Sequence, residues 1–333
     1  MTALPARLLR TVHALAGDEL AIARSVLYAS LFDYPLTLSQ LRQTLIESPQ
    51  TPSQILAAYA RSESLRAAVE YRDGFFFPTG RHGLIHERRR REARSRAFLE
   101  RHRTLLAVVG ALPYVRMVAL SGSIAHLNLE TDGDLDLFIV TRGAHVWSVT
   151  VAVVLLAKLL RRRRTVCANF VIADSRLALE QHDLFTASQV VHLKPLIGRT
   201  VLLEIMAANR FVSRFYPNFH PSAAPIAPGW SWDAPSTGSA THRGSVGLVW
   251  RALASRRVKL AAEWLLTYPS MLAEGVCRRA YRGYLKRRSA SWTSPEQVRL
   301  EDDVLKLHTH SHRQSVMERF EQAVRDALGP ARP

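Results

Sequence analysis

The sequence predicts a mixed α/β protein of the α+β type, and three observations carry that expectation. Residues 19–80 alternate capped helical segments with a hairpin signal. Residues 115–172 order strand, turn, helix and strand around two closely spaced aspartates. Beyond a Pro-rich stretch at 217–245, the remainder reads as Arg-rich helix. With 333 residues, the chain is long enough for about two or three structural units with buried cores. The expected division is 1–85, 86–216, a linker at 217–245, and a helical domain at 246–333.

In the first unit, a helix over 19–32 stops at Asp33-Tyr34-Pro35. Thr37 and Gln40 stand at capping-box spacing ahead of a stripe through Leu41, Leu45 and Ile46. Thr51-Pro52-Ser53 opens a third helix, with proline just inside its start. Asp73-Gly74, flanked by 68–71 and 75–77, signals a tight hairpin. Three helices and a hairpin are the order of a winged helix. The third helix, however, offers base edges little beyond Gln54 and Arg61. A structural or partner-binding role is therefore expected before DNA reading.

The segment 86–103, dense in arginine, predicts a long helix. It is either a phosphate-backbone surface or a solvated face relieved by Glu87, Glu92 and Glu100. A strand over 115–120 runs into Ser121-Gly122-Ser123, and Asp134 and Asp136 then alternate with Leu135 and Leu137. Strand side chains alternate between faces, so the carboxylates share one face and the leucines enter the core. A helix over 144–160 crosses to a strand at 165–172, and helices follow at 181–190 and 200–216. The apolar run 146–157, broken by Lys158 and followed by four arginines, is too short to span a bilayer. It is expected to be a buried helix. The segment 246–333 is expected to be helical, with Trp250, Trp264 and Tyr268 used for packing.

The joint pattern of Gly122-Ser123 and, about ten residues on, Asp134-Leu135-Asp136-Leu137 resembles the nucleotidyltransferase superfamily of the DNA polymerase β-type fold. Ser121, Ala125, Asn128 and Thr141 also resemble its bacterial nucleotidyltransferase-domain members, as does the "LFDYPLT" segment of a winged-helix-like region. Gly133 departs from the serine usual in those relatives. The resemblance covers most of 20–220 and fades beyond it.

It implies a small mixed-sheet nucleotidyltransferase core that moves an NMP from an NTP, with ATP the expected donor, to a hydroxyl acceptor and releases pyrophosphate. Asp134 and Asp136 would hold Mg²⁺ (or Mn²⁺). Gly122 lets backbone approach the phosphates, and Ser123 can donate from its hydroxyl and its N–H at a helix start. Ser121, Asn128 and Lys194 are further candidate nucleotide contacts. A second metal needs a third acid, and the strand at 165–172 contains none. Asn169 within it and Asp174 just beyond it are the candidates, and Cys167, Asn169 and Ile172 also match the narrower group. Without that acid, the alternative is a degenerate nucleotide-sensing or nucleic-acid-binding protein on the same fold.

The 45 Lys and Arg against 28 Asp and Glu give a net charge of +17, which favours polyanionic partners, nucleic acid among them, through the basic helices. Two cysteines, Cys167 and Cys277, exclude a disulfide framework, and the opening residues lack a signal-peptide core. A cytoplasmic, metal-dependent enzyme without a membrane span is the expectation. His308, His310 and His312 alternate, but their close spacing is unlike that of zinc sites.

Overall fold

Helix α1 (Asp18–Ser30) is the first described element and buries Ile22, Ala23 and Val26 along one side. It ends where Asp33 turns left-handed, at φ 52°, ahead of Pro35. Strand β1 (Leu36–Thr37) leads into α2 (Leu38–Gln43), and α3 (Pro52–Arg61) follows. The expected capping box of Thr37 with Gln40 forms, and Thr51 makes a second one with Gln54 ahead of Pro52. This computed structural model describes residues 15, 17–163, 165–221, 256–292, 298–307 and 313–328.

Helix α4 (Glu63–Ala68) is an addition to the expected order. Ser62 caps it by accepting from the Leu65 N–H at 3.1 Å. Strands β2 (Val69–Arg72) and β3 (Phe75–Pro78) pair across Asp73 and Gly74, whose φ values of 51° and 81° suit a tight hairpin turn. Strand β1 pairs with β3, so the hairpin becomes a three-stranded sheet over Leu41, Leu45, Ile55 and Phe76. Two residues make β1 too short for an alternation signal.

The basic segment forms α5 (Gly83–Ala111). Glu87 pairs with Arg90 and Arg91, and Glu92 with Arg96, so much of its charge is a self-compensated solvated face. Arg88 is different. It is buried, donates to the Pro35 carbonyl and to Gln40 Oε1 at 2.9 Å, and stacks 4.2 Å from the Tyr34 ring. One arginine of the run thus joins α5 to the first unit.

The main sheet is built from β4 (Val115–Leu120), β5 (Leu135–Thr141), β6 (Val166–Ala173), β7 (Lys194–Ile197), β8 (Val298–Leu300) and β9 (Val304–Leu307). The order is β7-β4-β5-β6-β9-β8. Strands β5 and β6 run parallel, joined through α7 (Val146–Leu159); the other pairs are antiparallel. Leu135, Leu137 and Ile139 face one side with α5 and α7; Phe138 and Val140 face the other. That second side is covered by α8 (Leu184–His192), α9 (Arg199–Ala208) and α10 (Val212–Phe215).

The C-terminal third departs from the expected separate helical domain. Helices α11 (Arg256–Leu265), α12 (Thr267–Arg287) and α13 (Arg313–Leu328) do form, but β8 and β9 extend the main sheet beside β6. The edge of β6 needs a partner, and β9 supplies it while burying Leu305 completely. Glu274 of α12 accepts from the N–H groups of Trp147 and Ser148 at 2.8 and 2.7 Å, supplying the cap that α7 lacks. Trp264 of α11 and Tyr268 of α12 do not pack as expected. They are 80% and 83% exposed; on α12 it is Cys277, Tyr281 and Leu285 that meet the core.

Of the expected linker, 217–221 is described, and Asn218 there donates to the Ser48 carbonyl at 2.9 Å. Residues 222–245, Trp250 and the trio His308, His310 and His312 lie outside the described residues. Among the described residues, no helix is long and apolar enough to cross a membrane.

Candidate metal and phosphate site

The site sits where β4 ends, β5 and β6 begin, and the intervening turn doubles back. The Ser121 N–H donates to the Asp136 carbonyl at 3.0 Å, which locks the turn against β5. Gly122 adopts φ 62°, and a Cβ there would overlap the Asp136 carboxylate. Glycine is therefore required by backbone angle and by the approach of the acid beneath it. Gly133 is required too: a Cβ would overlap the Leu129 side chain, so the serine of the resembled group has no room here.

Helix α6 (Gly122–Ala125) is only one turn. The macrodipole expected to assist Ser123 is correspondingly absent, because it accumulates over several aligned peptide units. What remains at the turn is local: the half-buried Ser121 and Ser123, whose hydroxyls have no hydrogen-bond partner among the described residues.

Asp134 and Asp136 come together as their spacing predicts. Ligand atoms of Asp134, Asp136 and Cys167 all lie within 4.8 Å of one another. Asn169 donates from its amide to Asp136 Oδ1. Burial first, and then the neighbouring Asp134 charge, pushes the Asp136 carboxyl up to about 7 against the pull of the Asn169 hydrogen bond. Burial, followed by the hydrogen bond to Asp134, pushes the Cys167 thiol up to about 12, so it stays protonated at neutral pH.

A β-bulge arranges this corner. Asp136 pairs with Cys167, but Phe138, two residues on, pairs with Phe170, three residues on. Cys167 meets the acids by direct pairing opposite Asp136, and the extra residue beyond it on β6 places Phe170, not Asn169, opposite Phe138. Bulges are a common means of re-aiming side chains beside functional sites.

Asp174 requires a correction. It lies one residue past β6, beyond the Thr141–Ala173 pair, whereas Asp136 pairs with Cys167 at the other end. Seven residues of strand separate the two ends, roughly 20 Å. Asp174 instead accepts from the Gly143 N–H at 2.9 Å and pairs with Arg116 at 3.2 Å. It fastens the far end of the sheet and cannot complete the metal corner.

Asn128 is also engaged elsewhere: its amide donates to the Phe32 carbonyl at 2.8 Å, tying the turn to the first unit. Lys194 pairs opposite Leu120, at the correct end of the sheet. Burial lowers its ammonium to about 8. His192 is lowered to about 3 by burial and then by Lys194, and it lies 4.0 Å, ring to ring, from His126. These bases line the edge beside the turn.

Cys167 matches the resembled group in sequence but is not among the candidate ligands there; the structure brings its thiol to the acids. Its position two residues before Asn169 on the neighbouring strand was the available signal.

Comparison with protein-family models, curated proteins and solved structures gave no match.

The donor set suits a divalent cation in part. Two carboxylates held this closely repel until a cation joins them, and the missing Cβ of Gly122 leaves space over Asp136. Carboxylates are the hard ligands that Mg²⁺ and Mn²⁺ take. The protonated thiol and the amide are weaker donors, so the corner is fitted to one cation better than to two.

Proposed function

We propose that this protein is a metal-dependent nucleotidyltransferase with a winged-helix-like N-terminal region. The observation carrying the reading is the close approach of Asp134 and Asp136 beneath the Gly122 turn. In this reading Asp134 and Asp136 hold one Mg²⁺ or Mn²⁺, with Asn169 orienting Asp136. The cation, when bound, supplies charge neutralisation on the phosphates. Ser121 and Ser123 offer hydroxyls to the triphosphate, and Lys194 adds positive potential at the adjoining edge.

The acceptor oxygen bonds to the α-phosphorus while the bridging P–O bond to the β-phosphate breaks. Pyrophosphate leaves with that electron pair, and the hydroxyl proton passes to water. The four helices and three-stranded sheet of 18–78 support the winged-helix-like assignment. Helix α3 presents few base-reading side chains, so this region is assigned to packing and partner contact rather than sequence readout.

The location of Asp174 favours a second reading, in which the fold binds nucleotide without turnover. A thiol and an amide occupy the corner where a third acid would serve the acceptor.

Incubation with each NTP and Mg²⁺ or Mn²⁺ separates the two. Transfer predicts pyrophosphate release that falls at least about a hundredfold in Asp134→Ala. NTP binding with no release in the wild-type protein supports the second reading.

A further inference from the structure

A cleft continues from Ser121 along the sheet face that carries Asp136. Its floor is Phe138, Phe170 and Ile172, and α8 closes it with Phe185 and Val190. The register lays Phe138, Phe170 and Lys306 in one row across β5, β6 and β9. Asp136 stands two residues up β5 from that row, on the same face.

Four cations line this cleft, and three are matched by acids. Arg176 pairs with Glu301 at 3.1 Å, Arg299 with Glu180 at 3.4 Å, and Arg313 with Asp183. Lys306 forms no ion pair of its own among the described residues; Glu180 and Asp183, the acids within electrostatic reach of it, are engaged by Arg299 and Arg313. Its Nζ lies 5.7 Å from the centroid of the Phe170 ring. Burial, then the charge of Arg299, lowers its ammonium below the usual lysine range. An ammonium held over an aromatic ring and inside this cleft, with its nearest acids already paired to arginines, lacks a direct ion-pair partner, and a bound anion would supply one.

The spacing defines the ligand. Strands lie about 4.8 Å apart, which puts Lys306 roughly 10 Å across the sheet from Phe138, with Asp136 about 7 Å further along β5. After allowing for the reach of the lysine, the gap between the acids and the ammonium accommodates a body about two fused rings long.

We infer that this cleft takes the acceptor, and that the acceptor is an apolar, ring-bearing molecule with a hydroxyl at the Asp134–Asp136 end and an anionic group paired with Lys306. The assignment of the hydroxyl rests on the transferase reading; the anion pairing at Lys306 does not.

The test uses a fluorescent hydroxynaphthoate, whose hydroxyl and carboxylate sit at opposite ends of two fused rings, and its neutral methyl ester. Fluorescence anisotropy with the full chain is expected to show the acid binding at least about tenfold more tightly than the ester. Lys306→Met should remove that preference and Lys306→Arg should keep it, with circular dichroism confirming that both variants fold. Equal binding of acid and ester by the wild-type protein would overturn the proposal without recourse to any variant. Displacement of the acid by ATP that depends on Lys306 would give the cleft to the nucleotide and overturn the acceptor assignment.

Failure of the two readings is separable. Lys306-dependent binding without pyrophosphate release from any NTP supports the anion site and removes the transferase reading. Pyrophosphate release with acceptor binding indifferent to Lys306 removes the site and leaves the transferase reading standing.

Discussion

Asp136→Asn is expected to make the metal-free protein more stable at neutral pH while abolishing its metal-dependent chemistry. The folded-state carboxyl sits at about 7, raised by burial and by Asp134; an unfolded aspartate titrates near 3.9. The folded protein therefore binds the proton more tightly. Relative to acid, stability contributed by this group is fully present below about pH 4 and is lost as pH rises toward 7. Above that window the loss is complete and levels off, at a few kcal/mol, since each tenfold in proton affinity is about 1.4 kcal/mol. Asparagine carries no charge to desolvate or to repel Asp134.

Thermal unfolding of the metal-free protein across pH 4–8 should show the variant melting several degrees above wild type at the upper end. The two curves should converge at the lower end. Saturating Mn²⁺ should raise the wild-type melting temperature and leave that of the variant unchanged. A variant less stable than wild type at pH 8 would mean that the Asp134–Asp136 repulsion is not what this corner contains.

Gly122→Ala should act in the opposite direction on stability and in the same direction on function. The backbone angle of 62° alone disfavours alanine, by roughly 1 kcal/mol. The added methyl would also overlap the Asp136 carboxylate. Either that side chain rotates out of the corner or the turn shifts from β5, where the Ser121 N–H holds it. Both outcomes separate Asp136 from Asp134 and Cys167. The expected result is a folded protein with a lower melting temperature and loss of Mn²⁺-dependent stabilisation. Retention of wild-type Mn²⁺ affinity in Gly122→Ala would contradict the packing argument for this glycine.

The opposed stability effects of these substitutions follow from features of unequal legibility in the sequence. The acidic pair was legible because strand alternation is local: Leu135 and Leu137 are fully buried, so the residues between and before them share the other face. The Asp73-Gly74 hairpin and the Thr37–Gln40 capping box were legible for the same reason, since each is decided within four residues. The third corner was legible in part: Asn169 was one of its two candidates and does reach Asp136, whereas Cys167 was not a candidate ligand. Cys167 stands directly opposite Asp136, but the shift of one residue between Cys167 and Phe170 is a bulge, and a bulge depends on the partner strand rather than on its own sequence.

Asp174 illustrates the complementary failure. Proximity to the strand end in sequence suggested reach, but β5 and β6 are parallel, so the end of β6 lies at the opposite edge of the sheet from Asp136. The contribution of β8 and β9 was hidden for a related reason. Strands of three and four residues, pairing with a segment more than a hundred residues earlier, leave little periodicity to detect.

The central claim is that Asp134 and Asp136 hold a divalent cation against a nucleoside triphosphate. Electron paramagnetic resonance of Mn²⁺, titrated with the protein in the presence and absence of a non-hydrolysable ATP analogue, tests it most directly. The account predicts loss of the free-Mn²⁺ signal with wild-type protein, tighter binding with the analogue present, and neither effect in Asp134→Ala or Asp136→Asn. Equal Mn²⁺ binding by wild type and both variants would contradict it.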